Sequence, residues 1–369
     1  LSSAASDVYK RQEVDLTTLP GVTEDPLADL RAAAEARREA EEEAAKDDDA
    51  PDAAGVATTE TAAEDDEKKE EPKPRPLRVT DLRWNEEGSL ASFQGYSFDN
   101  KDRWIAVVEP GSEEPLAVRR IHDPAWINWR YRDVTWLPDG ESLVYLSEES
   151  GYSQVYRVRF DGSHHRQLTD GAFVVDDPWL CPEGRHLFVR ANVGDPGTYE
   201  IWRLDVETGD FVQLSELGGL NAAVVSPDEQ RLLILHSRAA RPPELWVQEA
   251  RPGATARQLT QTTSEAFLAH DWREPLYVEV PSSHVERPIH ARLYLPDSPA
   301  PPEGRPAVLF VHGAGYLQNA HRGWSSYFRE FMFHTLLTRR GYVVLDMDYR
   351  ASAGYGRDWR TAIYRQMGT

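Results

Sequence analysis

Trp136-Leu137-Pro138-Asp139-Gly140 returns as Leu180-Cys181-Pro182-Glu183-Gly184 and again as Val225-Ser226-Pro227-Asp228-Glu229, the prolines standing 44 and then 45 residues apart. A weaker copy, Arg83-Trp84-Asn85-Glu86-Glu87-Gly88, lies one longer period upstream. Asp and Gly at such a site supply the conformations of a tight reversal. Around each copy Tyr, Val, Trp and Leu alternate with Arg, Glu and Gln, the two-residue period of a half-buried strand. In the second period this predicts strands near 134–136, 142–146, 154–159 and 166–169. The closing phrases repeat too: Arg166-Gln167-Leu168-Thr169, Arg257-Gln258-Leu259-Thr260 and, more loosely, Phe211-Val212-Gln213-Leu214-Ser215. Four short antiparallel strands every 40–50 residues are the pattern of a β-propeller blade. About four blades fit into residues 77–270, fewer than a closed ring usually holds. A partial propeller is expected, the chain beginning inside it.

Upstream of the repeat the texture is different. Residues 1–76 carry 22 acidic and 10 basic side chains, more than half of the net charge of −21. The stretch from Asp29 to Asp49 has helical composition but no apolar stripe to bury, so a helix there is expected to be solvated. High charge with low hydrophobicity predicts a disordered acidic segment over 1–76. The overall charge also excludes a nucleic-acid partner, which requires a basic face. One cysteine, Cys181, excludes an internal disulfide framework and a multi-cysteine metal site. It leaves cytoplasm and periplasm equally open. No run approaches the roughly 18 apolar residues of a membrane span. The start at Leu1 has no signal pattern and reads as an arbitrary beginning.

Downstream, residues 271–369 read as a layered α/β segment. Strands are expected at 276–280 and 289–295 as an antiparallel pair. Ala307-Val308-Leu309-Phe310-Val311 is a continuous apolar run, the composition of a strand buried on both faces. Helical spacing follows from Trp324 to about Arg340, with Tyr327, Phe328, Phe331, Leu336 and Leu337 broadly on one side and Gly341 as the residue that ends it. Tyr342-Val343-Val344-Leu345-Asp346-Met347 is the next buried strand, giving a parallel strand-helix-strand unit. Between the two strands lies Val311-His312-Gly313-Ala314-Gly315-Tyr316. A Gly-rich loop straight after a central strand lets backbone N–H groups face the crevice at the strand's carboxyl end.

These residues resemble the prolyl oligopeptidase family of serine peptidases, near its dipeptidyl-peptidase IV and acylaminoacyl-peptidase branches. The resemblance rests on Phe310–Tyr316, on Arg340-Gly341-Tyr342-Val343-Val344-Leu345 and on Asp348-Tyr349-Arg350-Ala351-Ser352-Ala353-Gly354-Tyr355-Gly356. Where the family often has Gly, this chain has Ala351. The fold implied is mixed: a partial β-propeller of about four blades, then the N-terminal part of an α/β-hydrolase domain. The resemblance implies hydrolysis of short peptides through an acyl-enzyme, with the propeller restricting access. It makes Gly313, Ala314 and His312 the oxyanion-hole candidates, the Gly313 N–H being the favoured donor. In the dipeptidyl-peptidase branch a tyrosine takes the place His312 occupies here.

No Gly-x-Ser-x-Gly elbow occurs in the chain, so Ser, Asp and His of the triad are expected beyond Thr369 and these 369 residues are expected to be inactive. Ser352, in Arg350-Ala351-Ser352-Ala353-Gly354, is the nearest miss and reads as a turn residue at the rim. Glu148-Glu149 is an acidic pair in a hairpin and reads as part of that hairpin rather than as an anchor for a substrate's amino terminus. His164-His165, His284, His290, His321 and His334 show no ligand spacing with carboxylates or Cys181, so neither metal nor cofactor is expected. The 11 tryptophans are read as core between blades rather than ligand stackers. Two alternatives stay open: a protein-binding propeller with a degenerate hydrolase remnant, and an esterase.

Overall fold

The computed structural model describes residues 13–47 and 73–368. These form two compact units, one made of the residues up to Leu82 with Ser92–Ile127, the other of Arg83–Ala91 with the residues from Asn128 onward.

Sixteen strands form four sheets of four, each a meander in chain order. The first holds β1 (Leu77–Trp84), β2 (Ala91–Ser97), β3 (Asp102–Val108) and β4 (Leu116–His122). The second holds β5 (Val134–Trp136), β6 (Ser142–Ser147), β7 (Gln154–Arg159) and β8 (Arg166–Gln167). The third holds β9 (Val175–Leu180), β10 (His186–Ala191), β11 (Glu200–Asp205) and β12 (Phe211–Gln213). The fourth holds β13 (Leu220–Val225), β14 (Arg231–Arg238), β15 (Arg241–Glu249) and β16 (Arg257–Gln258). The second sheet follows its expected strands to within two residues. Each Pro-Asp-Gly phrase sits in the turn between the first two strands of its sheet, and Gly140 and Gly184 take φ of 68° and 73° there.

Alternation then decides what is buried. Leu232 and Ile234 of β14 are fully enclosed while Leu233 and Leu235 face outward. Leu137, Val144, Leu146 and Val155 of the second sheet pack with Leu187, Val189 and Leu204 of the third. Phe188, Ile201 and Leu214 of the third pack with Val225, Leu232 and Ile234 of the fourth. Each fully buried leucine contributes about 2 kcal/mol, so the stacked inner faces dominate the cohesion of this region.

Part of the segment expected to be solvated is packed. Leu19 and Val22 are buried with Phe93 and Trp104, and the Trp104 indole N–H donates to the Pro20 carbonyl at 2.9 Å. The few apolar residues around Leu19 give it an anchor that average composition conceals. Helix α1 (Ala28–Asp47) has the expected exposed character over residues 28–43. The acidic stretch at 48–72 lies outside the described residues.

The last sheet is mixed, in the order β17 (Leu276–Val280), β18 (Ile289–Tyr294), β20 (Val343–Asp348), β19 (Ala307–Phe310). β17 and β18 pair antiparallel, as do β18 and β20, whereas β19 and β20 are parallel. A four-residue helix, α2 (Glu265–Leu268), precedes this sheet, and α3 (Phe328–Arg339) makes the crossover from β19 to β20. Gly341 has φ 88° and its N–H bonds the Thr338 carbonyl at 3.0 Å, closing α3 as expected. Two expectations need correction. The helix buries Phe331, His334, Thr335 and Thr338, with Leu336 turned to solvent. The apolar run at 307–311 is not enclosed: β19 is the edge strand, and Leu309 and Val311 are 63% and 60% exposed. An apolar run records what a strand's faces can bury, not whether a neighbour is present to cover them.

Candidate active site

The loop at 311–327 runs over the carboxyl end of β20, and one carboxylate organises it. Asp348 closes β20 with none of its side chain exposed. Its Oδ1 accepts from the Asn319 backbone N–H at 2.7 Å and lies 2.8 Å from His312 Nε2. Its Oδ2 accepts from the Ala320 N–H at 3.0 Å and from the Tyr355 hydroxyl at 2.6 Å. One group thus ties the start and the middle of the loop to the turn after β20.

His312 is held at both ring nitrogens. Nδ1 lies 2.8 Å from the Gly313 carbonyl oxygen, and Nε2 faces Asp348. Both neighbours are oxygen acceptors, an arrangement that favours a proton on each nitrogen and hence the charged ring. Burial opposes that charge, but the hydrogen bond and charge of Asp348, with the Gly313 carbonyl, outweigh it and raise the pKa above the usual histidine value. The Ser352 hydroxyl lies 3.5 Å from the same Nε2 and donates instead to the Tyr349 carbonyl at 2.7 Å. In a Ser-His-Asp relay the acid and the serine use different ring nitrogens and the serine nitrogen carries a free lone pair. Neither condition holds, and Ser352 is fully buried.

The same contacts orient the neighbouring peptide groups. The Tyr349 hydroxyl donates to the His312 carbonyl at 2.8 Å, and the Gly313 carbonyl is held by His312 Nδ1. In a trans peptide the N–H points opposite the C=O. Pinning these two carbonyls therefore turns the N–H groups of Gly313 and Ala314 to the other side. Neither amide has an acceptor among the described residues, and Gly313 is exposed. The Gly315 N–H, by contrast, is taken by the Ala351 carbonyl.

Beneath the loop lies a second buried layer. Asp346 Oδ2 accepts from the Asn319 side chain at 2.5 Å and lies 4.0 Å from His334 Nε2. Burial pushes the Asp346 carboxyl up to about 6, and burial with nearby Arg292 lowers His334 to about 4. Arg292 donates through Nε to the His321 carbonyl at 3.0 Å and through Nη2 to that of Gly323 at 3.1 Å. Asp348, Tyr349 and Tyr355 were legible only as part of the Asp348–Gly356 motif. Asn319 and Arg292 carried no sequence signal.

The other predicted residues lie apart. Glu148 is paired with Arg360 of α4 (Arg357–Thr361) at 2.7 Å, and Glu149 lies 3.1 Å from the Ser147 hydroxyl. Contacts from the third sheet reach the loop: the Tyr199 hydroxyl donates to Gln318 at 2.8 Å, and Asn192 donates to the Gly354 carbonyl at 3.1 Å. Among the described residues, one group of side chains could hold a metal, Cys181, His186 and Glu229. It lies in the turns of the third and fourth sheets, and the expectation of no metal-ligand grouping around Cys181 overlooked His186.

Parts of the chain match known families and folds. Residues 56–243 match the family described as "Dipeptidyl peptidase IV (DPP IV) N-terminal region", and residues 328–369 match "Prolyl oligopeptidase family". A 128-residue stretch is 27% identical to "Uncharacterized peptidase YuxL" of Bacillus subtilis (strain 168), covering 32% of this chain and 18% of that protein. The crystal structure of Porphyromonas gingivalis dipeptidyl peptidase 4 superposes with a TM-score of 0.68 at 19% identity, over 80% of this chain and 42% of that one. A solved chain from Bacteroides ovatus ATCC 8483 gives 0.67 at 16% identity, over 81% and 44%. The chain thus spans less than half the length of these solved relatives. No described helix is long and apolar enough to cross a membrane.

Proposed function

This chain belongs to the prolyl oligopeptidase family, in its dipeptidyl-peptidase-IV-like group, and on that premise we propose that it supplies the access filter and the oxyanion loop of a serine peptidase acting on short peptides. The four meander sheets serve as propeller blades that admit short substrates. The Gly313 N–H, with that of Ala314 beside it, stabilises the charge that develops on the scissile carbonyl oxygen. His312 acts as the buried cation that sets this loop, not as the proton shuttle. Serine, histidine and aspartate of the relay come from polypeptide outside these 369 residues.

One observation carries the reading: the carbonyls of His312 and Gly313 are both pinned, so two adjacent amides face outward without acceptors. Such preorganised donors contribute about 10²–10³ in kcat. Two measurements test it. The 369-residue chain should neither label with a fluorophosphonate probe nor release p-nitroaniline from alanine- or proline-linked peptides. Turnover abolished by Ser352→Ala would overturn the assignment. In the protein that joins this chain to its nucleophile, Tyr349→Phe should lower kcat about tenfold with KM little changed. An unchanged kcat would remove the oxyanion role.

A further inference from the structure

Three residues of two successive repeats meet at one point. Cys181 stands where the other copies have Leu137 and Ser226, His186 where they have Ser142 and Arg231, and Glu229 where they have Gly140 and Gly184. The equivalence is structural: the N–H of Leu137, Cys181 and Ser226 bonds the carbonyl of Ser142, His186 and Arg231 in turn. Cys181 follows β9 and His186 opens β10, so both belong to one hairpin, while Glu229 lies in the turn from β13 to β14. The thiol, a ring nitrogen and a carboxylate oxygen all lie within 4.8 Å of one another.

We propose that Cys181, His186 and Glu229 bind a divalent transition-metal ion, zinc by preference, which staples the turn of the third sheet to that of the fourth. Thiolate, imidazole and carboxylate are the borderline-soft set that zinc takes tetrahedrally, and three protein ligands leave the fourth position to water. His186 Nδ1 lies 2.7 Å from Glu229 Oε2, so an ion enters by opening that contact to about 3 Å, the spacing of neighbouring ligand atoms at ordinary bond lengths. The His186 side chain is 26% exposed and that of Glu229 20%, which leaves an approach from solvent. Cys181 belongs to the buried apolar cluster that includes Phe188, Leu232 and Ile234. Its sulfur also accepts the His186 backbone N–H at 3.2 Å. Glu229 takes φ 56°, a left-handed conformation that its glycine counterparts adopt without cost and glutamate does not. On binding, the thiol releases its proton to solvent. The imidazole keeps one proton, on Nε2, and its Nδ1 lone pair coordinates the ion. This ion site lies outside the oxyanion loop and does not depend on the peptidase reading.

The test uses the untagged chain, stripped with chelator and titrated with zinc and with cobalt. One ion per chain should bind after dialysis. Cobalt should give a thiolate charge-transfer band in the near ultraviolet, and a hundredfold excess of zinc over Kd should raise the unfolding midpoint by roughly 5 °C. Cys181→Ser should abolish the band, and His186→Gln should weaken binding at least about tenfold. Glu229→Gly restores the repeat's glycine, so it should fold at least as well as the parent while losing the zinc-dependent shift. That variant separates lost coordination from lost folding. Absence of stoichiometric binding, or a cobalt band that survives Cys181→Ser, overturns the proposal.

Discussion

The carboxylate of Glu148 meets the guanidinium of Arg360 at 2.7 Å, across 212 residues of sequence, with 9% and 2% of their side chains exposed. The pair joins the second meander sheet to the helix that follows the Asp348–Gly356 motif. Charges so enclosed are costly to separate, since removing one leaves the other desolvated. Glu148→Ala should destabilise the chain by about 3–5 kcal/mol in urea unfolding. The double replacement Glu148→Met with Arg360→Leu should cost less than the single one. A loss under about 0.5 kcal/mol for Glu148→Ala would show that the pair is effectively solvated.

Ala351 has φ 118°, a region that L-residues rarely adopt, and stands where family members often carry glycine. Relief of strain of about 1–3 kcal/mol opposes the entropy lost and the methyl removed. Ala351→Gly should therefore be neutral or stabilising. Ala353→Gly, buried but without positive φ, should cost about 1 kcal/mol. The contrast in thermal midpoint is the readout, and equal losses at the two positions would contradict the strain argument.

Asp346 and His334 impose opposite pH dependence. The Asp346 carboxyl is raised to about 6, so the folded state holds its proton more tightly and stability falls as pH rises from about 4 to 6. His334 is lowered to about 4 from the usual 6.5, so the unfolded state binds the extra proton and stability rises over much the same window. The two slopes largely cancel. Asp346→Asn should expose a stability that climbs between pH 4 and 6, and His334→Gln one that declines. Parallel slopes in both variants would refute these assignments.

Strand β19 presents an open edge carrying exposed Leu309, with exposed Val311 directly after it. Such edges template pairing with another chain. The 369-residue chain should self-associate with rising concentration in light scattering, and Leu309→Lys or Val311→Lys should shift it towards monomer. Concentration-independent mass in the parent would argue against edge pairing.

The meander sheets and the strand-helix-strand unit were legible because their signals are local. A Pro-Asp-Gly turn, a two-residue alternation and a terminating glycine act within a few neighbours, and the second sheet follows that reading almost residue by residue. The site was legible only in outline. His312 and Gly313 could be placed on a loop after a strand, but the pairing of His312 with Asp348 joins residues 36 apart. Nothing local distinguishes a histidine that shuttles protons from one held at both ring nitrogens by acceptors. Leu19 was likewise hidden by the charged composition around it.

By itself, then, the sequence determined the repeat, its turns and the Gly-rich loop after β19, because backbone preference and hydrophobic period are written in adjacent residues. Tertiary structure alone decided that β19 is an edge, that Glu148 is spent on Arg360, and that Cys181, His186 and Glu229 converge. Those outcomes depend on which distant segments are brought together and which charges lose their water, and burial of that kind has no period to read.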